Sequence, residues 1–359
     1  MCKAKCSIVV FLFLLAIFST LQGQTPAAAT NRIQLALNTD EAEAALAILN
    51  KHAAATPISD ADWQRLFSTE PYVRLKEREA SLHRDFTDDD FKKFILSPEL
   101  AAKSSALRKT LDAWKQADLT ASARRALTYL PEQAVIKTKV FPVIKPKTNS
   151  FVVDVLTDPT IFLYLDPEES AAKFENTVAH ELHHIGYASI EPLAEARQKD
   201  VPPDAKPAVE WMGAFGEGFA MLAAAGGPDV DPHAASSAKE HARWDHDLAN
   251  FNQDVISVQQ FFLDIIDKRL VGDKISERAS AFFGDAQGAW YTVGYKMSVI
   301  VEKRFGRNVL IDCMLDPREL LVRYNQAAKE LNDQGKKKLT LWSAELLHKS
   351  GASATDAER

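Results

Sequence analysis

The chain has 359 residues, of which 46% are hydrophobic, 26% charged and 9% aromatic. These values are typical of a globular protein and exclude wholesale disorder and a fibrous repeat. The formal net charge is −6 and no stripe rich in Lys and Arg stands out, so we do not expect a nucleic-acid partner.

The first 23 residues have the composition of a secretory signal peptide. Two lysines precede an unbroken apolar run over residues 8–18, and small and polar residues follow it. Because this run is too short to span a bilayer, we predict cleavage after residue 23, or as late as residue 29. An N-terminal membrane anchor is the alternative. We therefore expect an exported protein, periplasmic or extracellular, with no stable membrane insertion once the signal is removed.

Cysteine usage agrees with this interpretation. Cys2 and Cys6 lie in the predicted signal, so Cys313 alone remains in the mature chain, which then has no internal disulfide. The apolar stretch 309–315 around Cys313 indicates buried packing.

Two patterns divide the rest of the chain. Apolar residues recur at helical spacing from about residue 39 to 130, and again after residue 167. Between them, the β-rich runs 151–156 and 161–165 flank a turn and predict an antiparallel hairpin. This pattern predicts a predominantly helical α+β fold. The predicted units are an N-terminal helical region at 30–135, a catalytic core at 136–270, a C-terminal helical region at 271–349 and a polar tail at 350–359.

The segment after the hairpin carries the chemistry. Asp166 is a candidate helix cap and Gly186 a candidate stop signal, and residues 180–184 between them read H-E-L-H-H. Because residues four apart lie one turn apart on the same helix face, His180 and His184 can bind one Zn²⁺. Glu181, about 100° further round, can reach a metal-bound water without ligating the metal. His183 lies on the other flank of the helix. We expect it either to support the metal ligands without binding the metal itself or to face solvent.

A catalytic zinc site with two histidines needs a third protein ligand. Glu217 is a lone charge in the apolar, glycine-containing segment 211–222, and burying a carboxylate is costly unless it is paired or meets a metal. The glycines at 213, 216 and 218 would let this helix approach the histidine helix. We therefore predict Glu217 as the third ligand, with an exposed surface role as the alternative. Glu210 is a poorer candidate because it flanks the apolar stretch.

The H-E-L-x-H string, followed by E-G-F-A at residues 217–220, resembles the gluzincin class of zinc metallopeptidases, and the second string is similar to the zinc-glutamate helix of the neutral aminopeptidases. The resemblance covers about residues 150–225 and implies a zincin-like fold with a small antiparallel or mixed sheet next to the H-E-x-x-H helix. It has three departures. The gap of 32 residues between His184 and Glu217 is longer than in familiar members, Met221 stands where thermolysin-like enzymes carry a supporting aspartate, and no exopeptidase amine-binding motif appears. The chain thus resembles uncharacterised branches of zinc-dependent peptidases.

The resemblance implies Zn²⁺ as cofactor, a peptide or protein as substrate and Glu181 as general base. It also implies a Tyr or His from a later helix that stabilises the oxyanion. Within residues 290–297 we favour Tyr295 slightly over Tyr291, although both could be buried structural tyrosines. His241 and His246 are outside candidates for which solvent exposure is expected.

The predicted function is that of an exported zinc metallopeptidase. Two alternatives stay open: a zinc hydrolase of a non-peptide substrate, and a helical binding protein with a structural or vestigial metal site.

Overall fold

The computed structural model describes residues 32–284 and 287–352. The predicted signal peptide and the residues 353–359 of the polar tail lie outside this part of the chain. Among the described residues, no helix combines the length and the apolar character needed to cross a membrane.

A small mixed sheet forms the β part of the fold. Its strands are β1 (Ile33–Leu37), β2 (Ile136–Val143), β3 (Phe151–Val153) and β4 (Thr160–Tyr164), in the order β1-β2-β4-β3. The pairs β1–β2 and β2–β4 are parallel, and β3–β4 is antiparallel. The predicted hairpin is therefore confirmed, with β3 at an edge of the sheet. Strand β1 was not expected from the sequence, because a run of only five residues gives a weak strand signal.

Helices surround this sheet, so the expected α+β, predominantly helical class is confirmed. The first helices are α1 (Asp40–Ala53), α2 (Asp60–Phe67), α3 (Glu70–Ser81), α4 (Asp88–Ile95), α5 (Pro98–Trp114) and α6 (Leu119–Leu127). Several begin at side-chain caps: the Ser59 hydroxyl accepts a hydrogen bond from the Asp62 backbone N–H, and the Thr87 hydroxyl accepts one from the Asp90 backbone N–H. The apolar faces of these helices pack on the sheet and form a first hydrophobic core.

The histidine helix is α7 (Ala171–Ala188), and its limits differ from those expected. Ser170, not Asp166, is the N-cap, because its hydroxyl accepts a hydrogen bond from the Lys173 backbone N–H. Gly186 lies inside the helix instead of ending it. A Cβ atom at Gly186 would clash with the Leu130 side chain, so this glycine serves close packing.

The remaining chain is helical. Its helices are α8 (Glu191–Arg197), α9 (Lys206–Met212), α10 (Gly216–Ala225), α11 (Ala238–Ala249), α12 (Phe251–Ile266), α13 (Asp273–Ser280), α14 (Ala289–Phe305), α15 (Arg307–Leu315), α16 (Pro317–Asp333) and α17 (Ala344–Ser350). A 3₁₀ turn at Gly213–Phe215 joins α9 to α10, and a second at Ala281–Phe283 follows α13. These helices enclose a second hydrophobic core around the buried rings of Trp290 and Trp342. The proposed boundaries at 135/136 and 270/271 stay predictions.

Candidate metal centre

Helix α7 presents two imidazoles to the same point. Its opposite face, with Phe174, Val178 and Leu182, is buried in the first hydrophobic core and fixes the rotation of the helix. His180 and His184 therefore share the other face, with their Nε2 atoms 3.1 Å apart and their rings 4.7 Å apart between centroids. The H-E-x-x-H spacing thus produces the convergence that helical geometry predicts.

Glu217 approaches this pair from α10. Its Oε2 atom lies 3.2 Å from the His180 Nε2 atom and 3.3 Å from the His184 Nε2 atom. The carboxylate stands in the first turn of α10, where the positive end of the helix dipole favours a negative charge. Because α10 belongs to the second hydrophobic core, the three side chains meet where the two cores face each other.

The distances fit a tetrahedral metal ion. Zinc bonds of 2.0–2.1 Å in a tetrahedron place two ligand atoms about 3.3–3.4 Å apart, and the three separations here are 3.1–3.3 Å. Two histidines and one glutamate are also the protein ligands of one known kind of catalytic zinc site, which keeps its fourth position open. In the described part of the chain, these three residues form the one group of His, Cys, Asp or Glu side chains close enough to share an ion.

The charges of the group reinforce each other. Burial raises the pKa of Glu217, but the charges and hydrogen bonds of His184 and His180 outweigh it and hold this pKa well below its usual range. Burial likewise lowers the pKa of His184, yet Glu217 raises it to about 9. Without a cation, the cluster therefore holds its carboxylate ionised and draws a proton onto an imidazole, as a site built for a positive charge should.

Glu181 lies next in sequence to His180, and its side chain is half-buried. It belongs to the same helix but not to the three-residue cluster. Its negative charge contributes to raising the pKa values of both His184 and Tyr291. The carboxylate of Glu181 is thus close enough to act electrostatically on the centre without being one of the converging ligand atoms.

The two candidate tyrosines on α14 have different surroundings. The Tyr291 ring stacks on His180 with 6.2 Å between centroids, and Tyr291 is close enough to Glu217 for that carboxylate to affect the pKa of its hydroxyl. Burial, followed by the charge of Glu217, raises the pKa of Tyr291. The Tyr295 hydroxyl instead donates to the carbonyl oxygen of Val230 at 3.4 Å. The structure brings Tyr291, and not the slightly favoured Tyr295, to the cluster.

Two glycines allow α14 to come this close. A Cβ atom at Gly218 of α10 would clash with the backbone of Tyr291 and Tyr295, and one at Gly294 would clash with the carbonyl oxygen of Phe215. We expected the glycines to bring the Glu217 helix against α7, but Gly218 meets α14. At Gly213 and Gly216, an added Cβ atom would meet no atom within 4 Å. The backbone-to-backbone contact of α10 with α14 is what sets Tyr291 beside Glu217.

The other histidine candidates lie outside the centre. His183 is 2% exposed and stacks on Phe219 with 5.3 Å between centroids, so the solvent-facing alternative is wrong. Burial, followed by the charges of its histidine neighbours, lowers its pKa well below the usual range and leaves it neutral. His241 pairs with Asp231 at 2.7 Å, and His246 is exposed.

Two further residues behave as the sequence indicated. Glu210 is exposed, which is consistent with its being the poorer ligand candidate. Cys313 is a buried free cysteine whose thiol pKa is raised by burial, as expected for packing.

Sequence reasoning missed a cavity beside the ligands. It is lined by His184 and Glu217, by apolar residues of α9, α15 and α16, and by Gly213 and Gly216. The available signal was the spacing of these glycines, which we had attributed to helix packing.

Comparison with known proteins agrees with a zinc centre. No curated protein and no solved structure was found to match the chain. Residues 63–333 match the model of a family described as "Putative zinc dependent peptidase (DUF5700)". This match includes all three converging residues and covers well over half of the chain. The chain belongs to this family.

Proposed function

We propose that this protein is a gluzincin-type zinc metallopeptidase in which His180, His184 and Glu217 hold one zinc ion. The observation that carries the proposal is the convergence of two Nε2 atoms and one carboxylate oxygen at 3.1–3.3 Å. When bound, zinc lowers the pKa of water and polarises a carbonyl group.

Glu181 is the general base of the proposed reaction. Its carboxylate accepts a proton from the attacking water and afterwards donates it to the leaving nitrogen of the peptide. This role needs a carboxylate near the metal that is not itself a ligand, which matches the position of Glu181 on α7. A site that only stored a metal would have no use for this group.

Tyr291 is the proposed oxyanion stabiliser. Its hydroxyl is a hydrogen-bond donor held at the rim of the cluster, and burial keeps it protonated at neutral pH. A donor fixed in place before the reaction stabilises the charge that develops on the carbonyl oxygen. The hydroxyl of Tyr295 is already engaged with a backbone carbonyl group, which favours Tyr291 for this role.

The proposed site of action is outside the cytoplasm, on peptide or protein substrates. The support is the basic start and apolar run of the first 23 residues. Cell fractionation and N-terminal sequencing of the mature protein test it. We expect a protein that begins after residue 23 or near residue 29, outside the cytoplasm and released without detergent. An intact N-terminus in the cytoplasmic fraction would contradict export.

The decisive experiment for the chemistry is Glu181→Gln, with the exposed Glu168→Gln as a matched control. Zinc content is measured by mass spectrometry, and cleavage is measured with casein and a peptide mixture. We expect both variants to retain zinc and only Glu181→Gln to lose activity, by about 10²–10⁴-fold. Unchanged activity in Glu181→Gln would reject the base. A zinc-loaded parent that cuts no peptide would reject the peptidase.

A further inference from the structure

The cavity beside the metal centre has a volume of about 170 Å³. His184 and Glu217 line it. Its lining also includes Met212 at the α9–α10 junction, Met314 of α15 and Leu320 of α16. A group held in this cavity would therefore sit directly next to two of the proposed zinc ligands.

Away from the ligands, the wall of the cavity is predominantly apolar, with His183, Tyr187 and Cys313 as its further polar side chains. Met212, Phe215 and Leu320 are each at most 3% exposed, so their side chains belong to the second hydrophobic core and are fixed by it. No Lys, Arg or Asp lines the cavity, and Glu217 is its one carboxylate. An anionic side chain would lose its hydration here and face the carboxylate of Glu217, whereas an apolar one would gain by leaving water.

Two glycines, which carry no side chain, leave the cavity open. Gly213 and Gly216 stand three residues apart across the 3₁₀ turn, and residues at this spacing eclipse one another on one face. Both glycines line the cavity, and a Cβ atom at either would meet nothing within 4 Å. Gly213 is exposed, so the cavity reaches the protein surface at this point. Larger residues at these two positions would occupy the space.

We propose that this cavity is the specificity pocket of the enzyme, which binds one apolar side chain of the peptide next to the bond that is cut. This inference rests on the proposed peptidase function and adds a substrate class to it: peptides with a leucine, methionine or phenylalanine beside the scissile bond.

The size of the cavity limits its occupant. A protein cavity of about 150 Å³ lined by apolar side chains binds benzene. A pocket of about 170 Å³ thus accommodates one branched or aromatic side chain, and is smaller than the roughly 300–1,000 Å³ of sites for drug-sized ligands. Glycine or alanine would leave most of it unfilled.

The test separates binding from cleavage. Zinc-loaded Glu181→Gln binds peptides without cutting them, so calorimetry gives dissociation constants for peptides that differ at one position: Phe, Leu, Ala or Glu. The parent is assayed on the same peptides, with the variable residue placed on either side of the scissile bond. The substitution Gly213→Leu, made both in the parent and in Glu181→Gln, fills the pocket. Ala102→Leu, at an exposed position of α5, is the matched control.

We expect Phe and Leu peptides to exceed the Ala peptide by about 10–200-fold in kcat/KM and in affinity, with the Glu peptide weakest. Gly213→Leu should remove this preference while it keeps zinc, and Ala102→Leu should change neither the preference nor the activity. Equal treatment of all four peptides by the parent, or a preference that survives Gly213→Leu, would overturn the pocket while leaving the peptidase intact. A zinc-loaded parent inactive on every peptide would instead reject the peptidase itself.

Discussion

Gly218 of α10 lies against the backbone of Tyr295 in α14, with no room for a side chain between them. Gly294 makes the reciprocal approach to Phe215. This crossing brings Tyr291 of α14 beside the centre, so its position there depends on two glycines that are not ligands themselves.

Gly218→Ala should therefore destabilise the protein. The added methyl group meets backbone atoms, which cannot rotate away, and overpacking of this kind costs about 1–3 kcal/mol or more. Thermal and urea unfolding measure the loss. The control is Gly213→Ala, whose methyl group enters open space and should leave the free energy of unfolding almost unchanged. Equal stability of the two variants would show that the crossing is looser than described.

Glu217→Ala should lose zinc. Removing the carboxylate leaves two imidazoles without the anion that completes the site, so we expect less than about a tenth of the parent's zinc content after dialysis. Chelation should lower the melting temperature of the parent but not that of this variant, because only the parent has a bound ion to lose. Glu210→Ala, which changes an exposed glutamate seven residues earlier, should behave like the parent. Full zinc content in Glu217→Ala would remove it from the ligand set.

Tyr291→Phe should reduce kcat by about 10²–10³-fold, the usual loss when one oxyanion donor is removed. Zinc content should stay near that of the parent, since the three ligands remain. Tyr295→Phe removes a hydroxyl that bonds to Val230, and its kcat should be close to the parent's. If Tyr295→Phe instead caused the larger loss of kcat, the oxyanion stabiliser would be Tyr295.

A buried acid in the first core makes stability depend on pH. Glu41 is fully buried, and burial raises its pKa to about 8 despite the hydrogen bond that its Oε2 accepts from the Ile144 backbone N–H. The folded state therefore keeps a proton that the unfolded chain releases near pH 4.5. The corresponding stability is fully present below pH 4.5 and is lost as the pH rises through 8.

Glu41→Gln should abolish this loss, because the neutral amide can still accept the Ile144 hydrogen bond. We expect it to exceed the parent's free energy of unfolding at pH 9 by at least about 1 kcal/mol, with a much smaller difference at pH 5. Glu43→Gln on the same helix should instead lower the free energy of unfolding at neutral pH and have little effect in acid. Burial raises the pKa of Glu43, but Lys115 and Arg108 outweigh it and lower this pKa, so its contribution is present at neutral pH and is lost on acidification. Parallel stability curves for Glu41→Gln and the parent would contradict the raised pKa.

The sequence predicted what local periodicity encodes. The shared face of His180 and His184 follows from helical spacing alone, and the β3–β4 hairpin follows from two β-rich runs around a turn. The sequence also predicted that Glu217 would lie close to the two histidines, since a lone carboxylate in an apolar helix needs a partner.

What the sequence could not predict depends on contacts between distant segments. The choice of Tyr291 over Tyr295 follows from the rotation of α14, which the crossing at Gly218 and Gly294 determines. The apolar, glycine-containing segment 211–222 also appeared to be one helix, because the 3₁₀ turn that begins at Gly213 changes the path of the backbone without interrupting the apolar pattern. Strand β1 is recognisable only through its partner β2.

The pairing of β1 with β2 also constrains the order of folding. Ile33 pairs with Ile136, so this parallel contact joins segments roughly 100 residues apart. During synthesis, β1 is among the first described segments to emerge, yet it has no neighbour until β2 has followed. Contacts this distant in sequence form late, whereas the helices between them can form locally. The sheet beside the histidine helix is therefore completed only after most of the first helical layer exists, and a chain that stops before residue 136 lacks the template on which its own first strand is built.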